Sequence, residues 1–249
     1  MATLCEAVAA GTNLKILRLQ HVDDLSQVSR QSLSRMVTQV EEFELACEEN
    51  ATLVDEIGTI VEAIATTVAG NLKKLSLFAI DLSVVDSGLL AQMATQVEEL
   101  RLGGGHILAE DQVKAIFQTI AAGPGKLKKI SLRCRSTLHR VDAEILATAV
   151  NNLEYFLNDW PGKLTTSQTE RILRVALQKT SLKKLIFWVR GDTSHLDPNL
   201  ITEVKKVIPR VWIELSHSLD FPDSDSDPDL DSVSGSESDP DQDSEPGDV

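Results

Sequence analysis

The residues able to act as nucleophiles or metal ligands are few and widely separated in this sequence. They comprise five histidines and three cysteines: His21, His106, His139, His195, His217, Cys5, Cys47 and Cys134. No pair has the short spacing of a zinc site, and no cysteine has an evident histidine partner for nucleophilic catalysis. An odd number of widely spaced cysteines also does not suggest a disulfide framework. We therefore expect no catalytic residues, no metal and no cofactor.

A glycine-rich stretch, Gly103–Gly105, is the other feature with chemical potential. Such a loop between a strand and a helix can cradle a phosphate when it carries a Lys-Ser/Thr pair or the dinucleotide-binding fingerprint. Here His106 follows the glycines, and neither pattern is present. We interpret the stretch as a flexible loop at the end of a strand.

The acidic charge of the chain is concentrated at its C-terminus. The 249 residues include 24 Lys and Arg against 38 Asp and Glu, and twelve of the acidic residues lie between Asp220 and Val249, where no basic residue occurs. The rest of the chain is nearly neutral, which argues against a nucleic-acid-binding surface. Residues 218–249, the acidic tail, contain too few apolar residues to bury a core, so we predict that they are disordered.

The acidic tail also contains candidate modification sites. Five of its serines have an acidic residue three positions later, the pattern favoured by acidophilic kinases: Ser224, Ser226, Ser234, Ser236 and Ser238. Phosphorylation would deepen the negative charge of the segment. The alternative is a tail that serves only solubility, and we favour that simpler interpretation.

Internal repeats organise the rest of the sequence. Eight hexamers carry apolar residues at positions 1, 4 and 6, and they begin at Leu14, Val40, Leu72, Val97, Leu127, Val150, Leu182 and Ile208. Their spacings alternate between 23–26 and 30–32 residues, and flanking segments are duplicated, as in MVTQVEEFEL and MATQVEELRL. Between the hexamers the apolar period changes from 2 to about 3.6 residues. Each repeat is thus predicted to contain a strand, a loop and a helix.

This pattern resembles leucine-rich repeats of the ribonuclease-inhibitor type, the kind also found in NACHT-type innate sensors. The opening segment LCEAVAAGTNLKILRL, from Leu4 to Leu19, looks much like the helix-to-strand half of such a repeat. The Asn or Cys that the family carries three residues beyond the last strand leucine is absent. The resemblance implies an α/β horseshoe solenoid that binds proteins, with about eight parallel strands on its concave face and helices on its convex face.

We therefore predict two regions, a leucine-rich-repeat domain over residues 1–217 and the disordered acidic tail over residues 218–249. No apolar stretch approaches the length of a membrane span, and the N-terminus lacks the pattern of a signal peptide. With the sparse cysteines, these features favour a cytoplasmic or nuclear protein that does not bind membranes.

Residues of alternating charge are predicted to line part of the concave face. Side chains at positions 3, 5 and 7 of each strand should point to that face, and position 2 lies where the strand begins. In the first five hexamers, positions 2 and 3 read Lys15-Ile16, Glu41-Glu42, Lys73-Lys74, Glu98-Glu99 and Lys128-Lys129. Opposite charges on neighbouring strands stabilise the register of a sheet, so we expect this row to be structural.

The last three hexamers interrupt that alternation and predict a binding surface. Lys183, Lys184 and Arg210 have no acidic row beside them. Exposed apolar patches with Trp and Arg are typical of interaction sites. The predicted partner-binding residues are Phe156, Lys184, Ile186, Trp188, Arg210 and Trp212. The alternative is that a cap, or a second copy of the chain paired at the edge strand, buries this patch.

Together these features favour a non-enzymatic scaffold or inhibitor that binds a protein partner, either as a monomer or as an edge-paired homodimer. A second hypothesis is a GTPase-activating protein or other regulator of a small GTPase, although no motif singles out an arginine. A third is a chaperone for basic proteins that acts through the acidic tail. The tail could also fold back onto Lys183, Lys184 and Arg210 and compete with partners.

Overall fold

The computed structural model describes residues 2–11, 14–48, 53–67, 70–123, 125–158, 164–178, 181–190 and 196–216. Within these ranges the strands form one parallel sheet in which their order follows the chain. The strands are β1 (Ile16–Val22), β2 (Glu42–Cys47), β3 (Lys74–Phe78), β4 (Glu99–Leu108), β5 (Lys129–Ser136), β6 (Tyr155–Asn158), β7 (Lys184–Arg190) and β8 (Arg210–Ser216). The sheet is not closed, since β1 and β8 lie at its two edges. The acidic tail, with its five candidate phosphorylation sites, lies outside the described residues.

A helix alternates with each strand, as the repeat pattern predicts. The helices are α1 (Ala2–Ala9), α2 (Arg30–Gln39), α3 (Val54–Thr66), α4 (Ser87–Gln96), α5 (Glu110–Ala122), α6 (Ala143–Asn151), α7 (Thr166–Gln178) and α8 (Pro198–Val207). The predicted fold class, a solenoid of parallel strands and helices, is thereby confirmed. In the described part of the chain no helix combines the length and the apolar character needed to cross a membrane.

Helix length explains why long and short repeats alternate. Helices α3, α5 and α7 span 13 residues each, whereas α2, α4, α6 and α8 span nine or ten. The four short helices begin at a Ser or Asp whose side chain accepts a hydrogen bond from a backbone N–H of the first turn: Ser29, Asp86, Asp142 and Asp197. Such caps satisfy N–H groups that have no partner within the helix.

The core lies between the sheet and the helices. Strand positions 4 and 6 are buried on β1 to β7, as Leu75 and Leu77 on β3 illustrate, and they pack with apolar residues of the helices such as Ile60 on α3. On β8 these positions, Val211 and Ile213, are partly buried. Neither element can bury its apolar side alone, so stacking of successive repeats creates the core. Positions 3, 5 and 7 point to the opposite side of the sheet, which we call the open face because no described helix covers it.

The register of β6 corrects one prediction. Tyr155 pairs with Lys129 on β5 and with Lys184 on β7, so the sixth hexamer begins at Leu153 and not at Val150. Phe156 therefore occupies position 4 and is fully buried. The prediction that Phe156 lies on the concave binding face is wrong. Val150 fits the apolar template because it belongs to the buried side of α6.

With this register, the spacing of equivalent residues becomes more regular. One row across the sheet consists of Ile16, Glu42, Lys74, Glu99, Lys129, Tyr155, Lys184 and Arg210. The intervals within this row are 26, 32, 25, 30, 26, 29 and 26 residues. We number the row position 3, so each hexamer begins two residues earlier. The predicted alternation of short and long repeats therefore holds.

The glycine-rich stretch belongs to a strand and is not the loop that we predicted, because β4 runs through it. A Cβ atom on Gly103 would lie 2.6 Å from Cδ1 of Phe78, and one on Gly104 would lie 2.2 Å from the backbone nitrogen of Ala79. Gly104 also has a φ of 106°, a conformation that side chains disfavour. Glycine is required here because β3 and the turn after it approach β4 closely.

Two buried glutamines connect neighbouring repeats. Gln168 at the start of α7 donates from Nε2 to the carbonyl oxygens of Leu138 (2.8 Å) and Val141 (2.5 Å) in the preceding repeat. Gln112 on α5 makes the same pair of bonds, of 2.6 and 2.7 Å, one double repeat earlier. Buried carbonyl groups need such donors, so these side chains position the turns that lead into the short helices.

Candidate protein-binding surface

Opposite charges alternate at position 2, where the strands begin. Lys15 Nζ lies 3.5 Å from Glu41 Oε1, Lys73 Nζ lies 2.7 Å from Glu41 Oε2, and Lys128 Nζ lies 2.8 Å from Glu98 Oε2. The hydrogen bond from Lys73 lowers the pKa of Glu41, and that from Lys128 lowers the pKa of Glu98. The predicted alternation across the first five strands is confirmed. These ion pairs are exposed, so each contributes little to stability by itself.

The same alternation continues further than the sequence analysis predicted. Once the sixth hexamer begins at Leu153, Glu154 occupies position 2 and its Oε2 lies 2.6 Å from Lys183 Nζ. The hydrogen bond to Glu154 raises the pKa of Lys183. The prediction that Lys183 has no acidic row beside it is therefore wrong. We call this row of seven residues, from Lys15 on the first repeat to Lys183 on the seventh, the charge ladder.

Position 3 changes character along the sheet. On β4 and β5, Glu99 Oε1 lies 2.9 Å from Lys129 Nζ, and the carboxylate is half-buried. On β6 the position holds Tyr155, whose ring centroid lies 5.8 Å from Lys129 Nζ. On β7 and β8 it holds Lys184 and Arg210, which are aligned in register and form no ion pair with any described residue. Two adjacent cations therefore end the row.

Position 5 changes from polar to apolar at β6. The first five strands place there Arg18, Glu44, Ser76, Arg101 and Ser131. The last three place Leu157, Ile186 and Trp212, which the register aligns side by side. Leu157 is buried, Ile186 is half-buried and Trp212 is 63% exposed. An apolar row thus crosses the last three strands and ends in an exposed indole.

The structure brings five of the six predicted binding residues together on the open face of β7 and β8: Lys184, Ile186, Trp188, Arg210 and Trp212. Phe156, the sixth, lies in the core. Tyr155, which is half-buried, and Leu157, which is buried, lie on the same face and were missed. The acidic residue of the charge ladder, Glu154, was the available signal, because it fixes the register of β6. We call Tyr155, Leu157, Ile186, Trp188 and Trp212 the C-terminal patch.

A groove along the strand starts is the other concave feature of the solenoid. It has a volume of about 570 Å³ and is lined by residues that include Lys15, Glu41, Lys73, Glu98 and Lys126. Its lining contains three lysines and two glutamates, so the groove presents only a small net positive charge to a ligand. We assign these residues to the stability of the sheet.

The described thiols are poorly suited to nucleophilic chemistry. Burial raises the pKa of Cys5, and it raises the pKa of Cys47 to about 11. A thiol with a raised pKa holds little thiolate at neutral pH, and the thiolate is the reactive form. Within the described ranges, no group of three or more His, Cys, Asp and Glu residues is arranged to hold a metal ion.

Comparison of this chain with protein families and with curated proteins yields no match. The resemblance to leucine-rich repeats of the ribonuclease-inhibitor type therefore stays a prediction. The architecture of stacked strand–helix repeats rests on the structure alone.

Proposed function

We propose that this chain is a non-enzymatic protein-binding scaffold or inhibitor, built from repeats of the leucine-rich type, that holds its partner on the C-terminal patch. The observation that carries the proposal is Trp212. Its side chain is 63% exposed in the middle of β8, where it extends the apolar row of Leu157 and Ile186. Exposed tryptophans within apolar rows are typical anchors of protein interfaces.

The energy available from this residue is sufficient for an anchor. Covering the exposed part of a side chain of this size contributes roughly 3 kcal/mol at about 25 cal/mol per Å². That gain corresponds to an increase of about a hundredfold in binding affinity. Trp188 and Ile186, both half-buried beside it, add smaller apolar areas. The patch therefore offers a centre for an interface, with Lys184 and Arg210 at its polar rim.

The free thiols support a reducing location. Cys5 and Cys47 form no disulfide. Free cysteines are usual in cytosolic and nuclear proteins, where thiols are kept reduced. We propose that the partner is met in one of these compartments.

Affinity capture tests the proposal. The intact chain and a Trp188→Ala, Trp212→Ala double variant are used as baits in the same cell lysate, and the captured proteins are quantified. An Arg18→Ala, Gln20→Ala variant provides a matched control, because both residues lie on the open face of β1. Circular dichroism and thermal unfolding verify that all three proteins fold.

The expected result is that a specific set of proteins is lost with the tryptophan variant and kept with the control. If the tryptophan variant keeps every partner, the patch does not carry the function. If the intact chain sediments as a dimer that the tryptophan variant dissociates, the patch serves self-association instead.

A further inference from the structure

We propose that the partner segment on the C-terminal patch is acidic and carries an apolar anchor two residues from its carboxylate. In this arrangement the carboxylate pairs with Lys184 and Arg210, while the apolar side chain packs against Ile186 and Trp212. The inference rests on the proposed function and adds the chemistry of the partner.

The first argument is the charge that the solenoid leaves uncompensated. Six other lysines at positions 2 and 3 lie within 3.6 Å of a glutamate oxygen: Lys15, Lys73, Lys74, Lys128, Lys129 and Lys183. Lys184 and Arg210 depart from this pattern, because neither forms an ion pair with a described residue. They lie side by side on β7 and β8, in register with each other. An anion from a partner would give Lys184 and Arg210 the kind of ion pair that Lys74 and Lys129 make at position 3 within the chain.

The second argument is the burial of the lysine. Lys184 is half-buried, whereas the lysines of the charge ladder are exposed. Charges that lose contact with water on binding interact more strongly with a counter-charge than exposed ones do. A partner that covers Trp212 further excludes water from Lys184. A carboxylate at this place therefore contributes more to binding than an exposed ion pair contributes to stability.

The third argument is geometric. Positions 3 and 5 of a strand point to the same face and lie about 6.6 Å apart, since each residue of a strand rises about 3.3 Å. The cation pair Lys184–Arg210 and the apolar pair Ile186–Trp212 form two neighbouring rows at this distance. Side chains two residues apart in an extended partner segment have the same spacing. A segment with the pattern acidic–any–apolar therefore matches both rows at once.

One acidic residue of the sequence, Glu214, lies on the same strand as Arg210. Glu214 lies at position 7, at the far end of the strand from Arg210, and in register with Trp188 on β7. Four residues of strand separate it from Arg210, which corresponds to roughly 13 Å. The positive end of the patch is thus the end at which the strands begin. A basic partner segment would face two cations there.

Peptide binding measured by fluorescence anisotropy tests the inference. The probe is a labelled twelve-residue peptide made of four Glu-Ser-Phe triplets. One analogue replaces each Glu by Lys, and a second replaces each Phe by Ser. The full chain is used throughout at 150 mM salt. Because the acidic tail attracts the lysine analogue and repels the Glu-Ser-Phe probe, the affinity of each peptide is also compared between the intact chain and a Lys184→Glu, Arg210→Glu charge-reversal variant. We expect the Glu-Ser-Phe probe to bind at least tenfold more tightly than either analogue.

Charge reversal then assigns the binding to the two cations. Lys184→Glu with Arg210→Glu is expected to weaken binding of the Glu-Ser-Phe probe at least tenfold and to strengthen binding of the lysine analogue. The matched control is Lys205→Glu with Lys206→Glu, because these exposed lysines of α8 carry the same charge change outside the sheet. The control is expected to change the affinity less than twofold at 150 mM salt.

Three outcomes would overturn the inference. The first is that the Glu-Ser-Phe probe does not bind the intact chain. The second is that the lysine analogue binds it equally well. The third is that the two charge reversals have equal effects on the affinity of the probe. Affinity capture distinguishes failure of this inference from failure of the proposed function. If capture depends on the tryptophans but not on Lys184 and Arg210, the patch binds proteins but not acidic ones. If it depends on neither, both proposals fail.

Discussion

On β1 to β5 the open face carries mainly charged and polar side chains that pair across the strands, with Ile16 and Phe78 as apolar exceptions, whereas on β6 to β8 it carries apolar side chains beside two cations. The buried positions beneath do not differ in this way. Leu75 and Leu77 on β3 and Leu185 and Phe187 on β7 fill positions 4 and 6 in the same manner. The first region shows that the repeats fold well with polar residues on the open face. Polar residues on the open face are therefore compatible with folding of a repeat, and the proposed function assigns the exposed indole of Trp212 to binding.

The largest expected effect tests the register of β6, the strand at which the second region begins. Phe156→Ala should destabilise the protein by about 3 to 5 kcal/mol, because it removes a fully buried ring from the core. That ring also packs edge-on against Phe117, with ring centroids 6.2 Å apart. Urea unfolding followed by circular dichroism measures the change.

Tyr155→Ala is the matched control, since it removes the neighbouring ring from the open face. We expect it to lower the free energy of unfolding by no more than about 1.5 kcal/mol, because Tyr155 is only partly buried. Equal effects of the two substitutions would contradict the register of β6. A larger effect at Tyr155 would support a hexamer that begins at Val150.

The next largest effect tests whether the helices behind the two regions are connected to their neighbouring repeats in the same way. Gln112→Ala and Gln168→Ala should each destabilise the chain by about 1 to 3 kcal/mol, because each removes the side-chain donor to two buried carbonyl oxygens. One oxygen of each pair, that of Leu82 or Leu138, keeps a backbone N–H donor. Gln92→Ala, at an exposed position of α4, is the control and should have little effect. Urea unfolding of the three variants is the measurement. Clearly unequal effects at Gln112 and Gln168 would show that these connections differ between the regions.

These residues also show where inference from sequence ends. The period of the apolar residues was enough to predict the solenoid, the number of repeats and the position of seven of the eight strands. It failed at β6 because Val150, Leu153 and Tyr155 satisfy the apolar template, while the true sixth position holds the polar Asn158. Pattern matching cannot separate a buried helix residue from the first residue of a strand. The alternation of charge, which depends on contact between strands, resolves the ambiguity.

The sequence predicted the residues of the candidate site on β7 and β8, where the hexamer register was correct, but not those on β6. Lys184, Ile186, Trp188, Arg210 and Trp212 follow the template in the seventh and eighth hexamers, so their face could be read from alternation alone. The roles of Gln112 and Gln168 could not, because their partners are backbone carbonyls about thirty residues away. Polar residues that bond to the backbone leave no periodic signal.

A smaller effect is expected from the patch itself. Trp212→Ala should change the free energy of unfolding by less than about 1 kcal/mol, because most of the side chain is already in contact with solvent. The same substitution should reduce partner capture. Urea unfolding at fixed pH measures the change in the free energy of unfolding. The dependence of that free energy on urea concentration should be unchanged. A loss of several kcal/mol would instead assign Trp212 to the fold and remove the observation on which the proposed function depends.

The smallest effect is the dependence of stability on pH, which we expect from one glutamate of the charge ladder, Glu98, and one of helix α5, Glu110. The hydrogen bond from Lys128 lowers the pKa of Glu98, and hydrogen bonds from Lys114 and Arg140 lower the pKa of Glu110 from 4.5 to about 2. A carboxylate whose pKa is lower in the folded state stabilises the fold above its unfolded pKa. That contribution disappears as the pH falls through the folded pKa. Thermal unfolding temperatures should therefore decline between pH 4.5 and about 2.

Neutral substitutions identify the source of this decline. Glu98→Gln combined with Glu110→Gln should make the unfolding temperature less dependent on pH below 4.5, because the variant has fewer carboxylates to protonate. Glu62→Gln, an exposed residue of α3, is the control for removal of a carboxylate. Added salt should weaken the dependence in the intact chain, since exposed ion pairs are screened. If the Glu98 and Glu110 variant declines as steeply as the control, these ion pairs do not stabilise the solenoid.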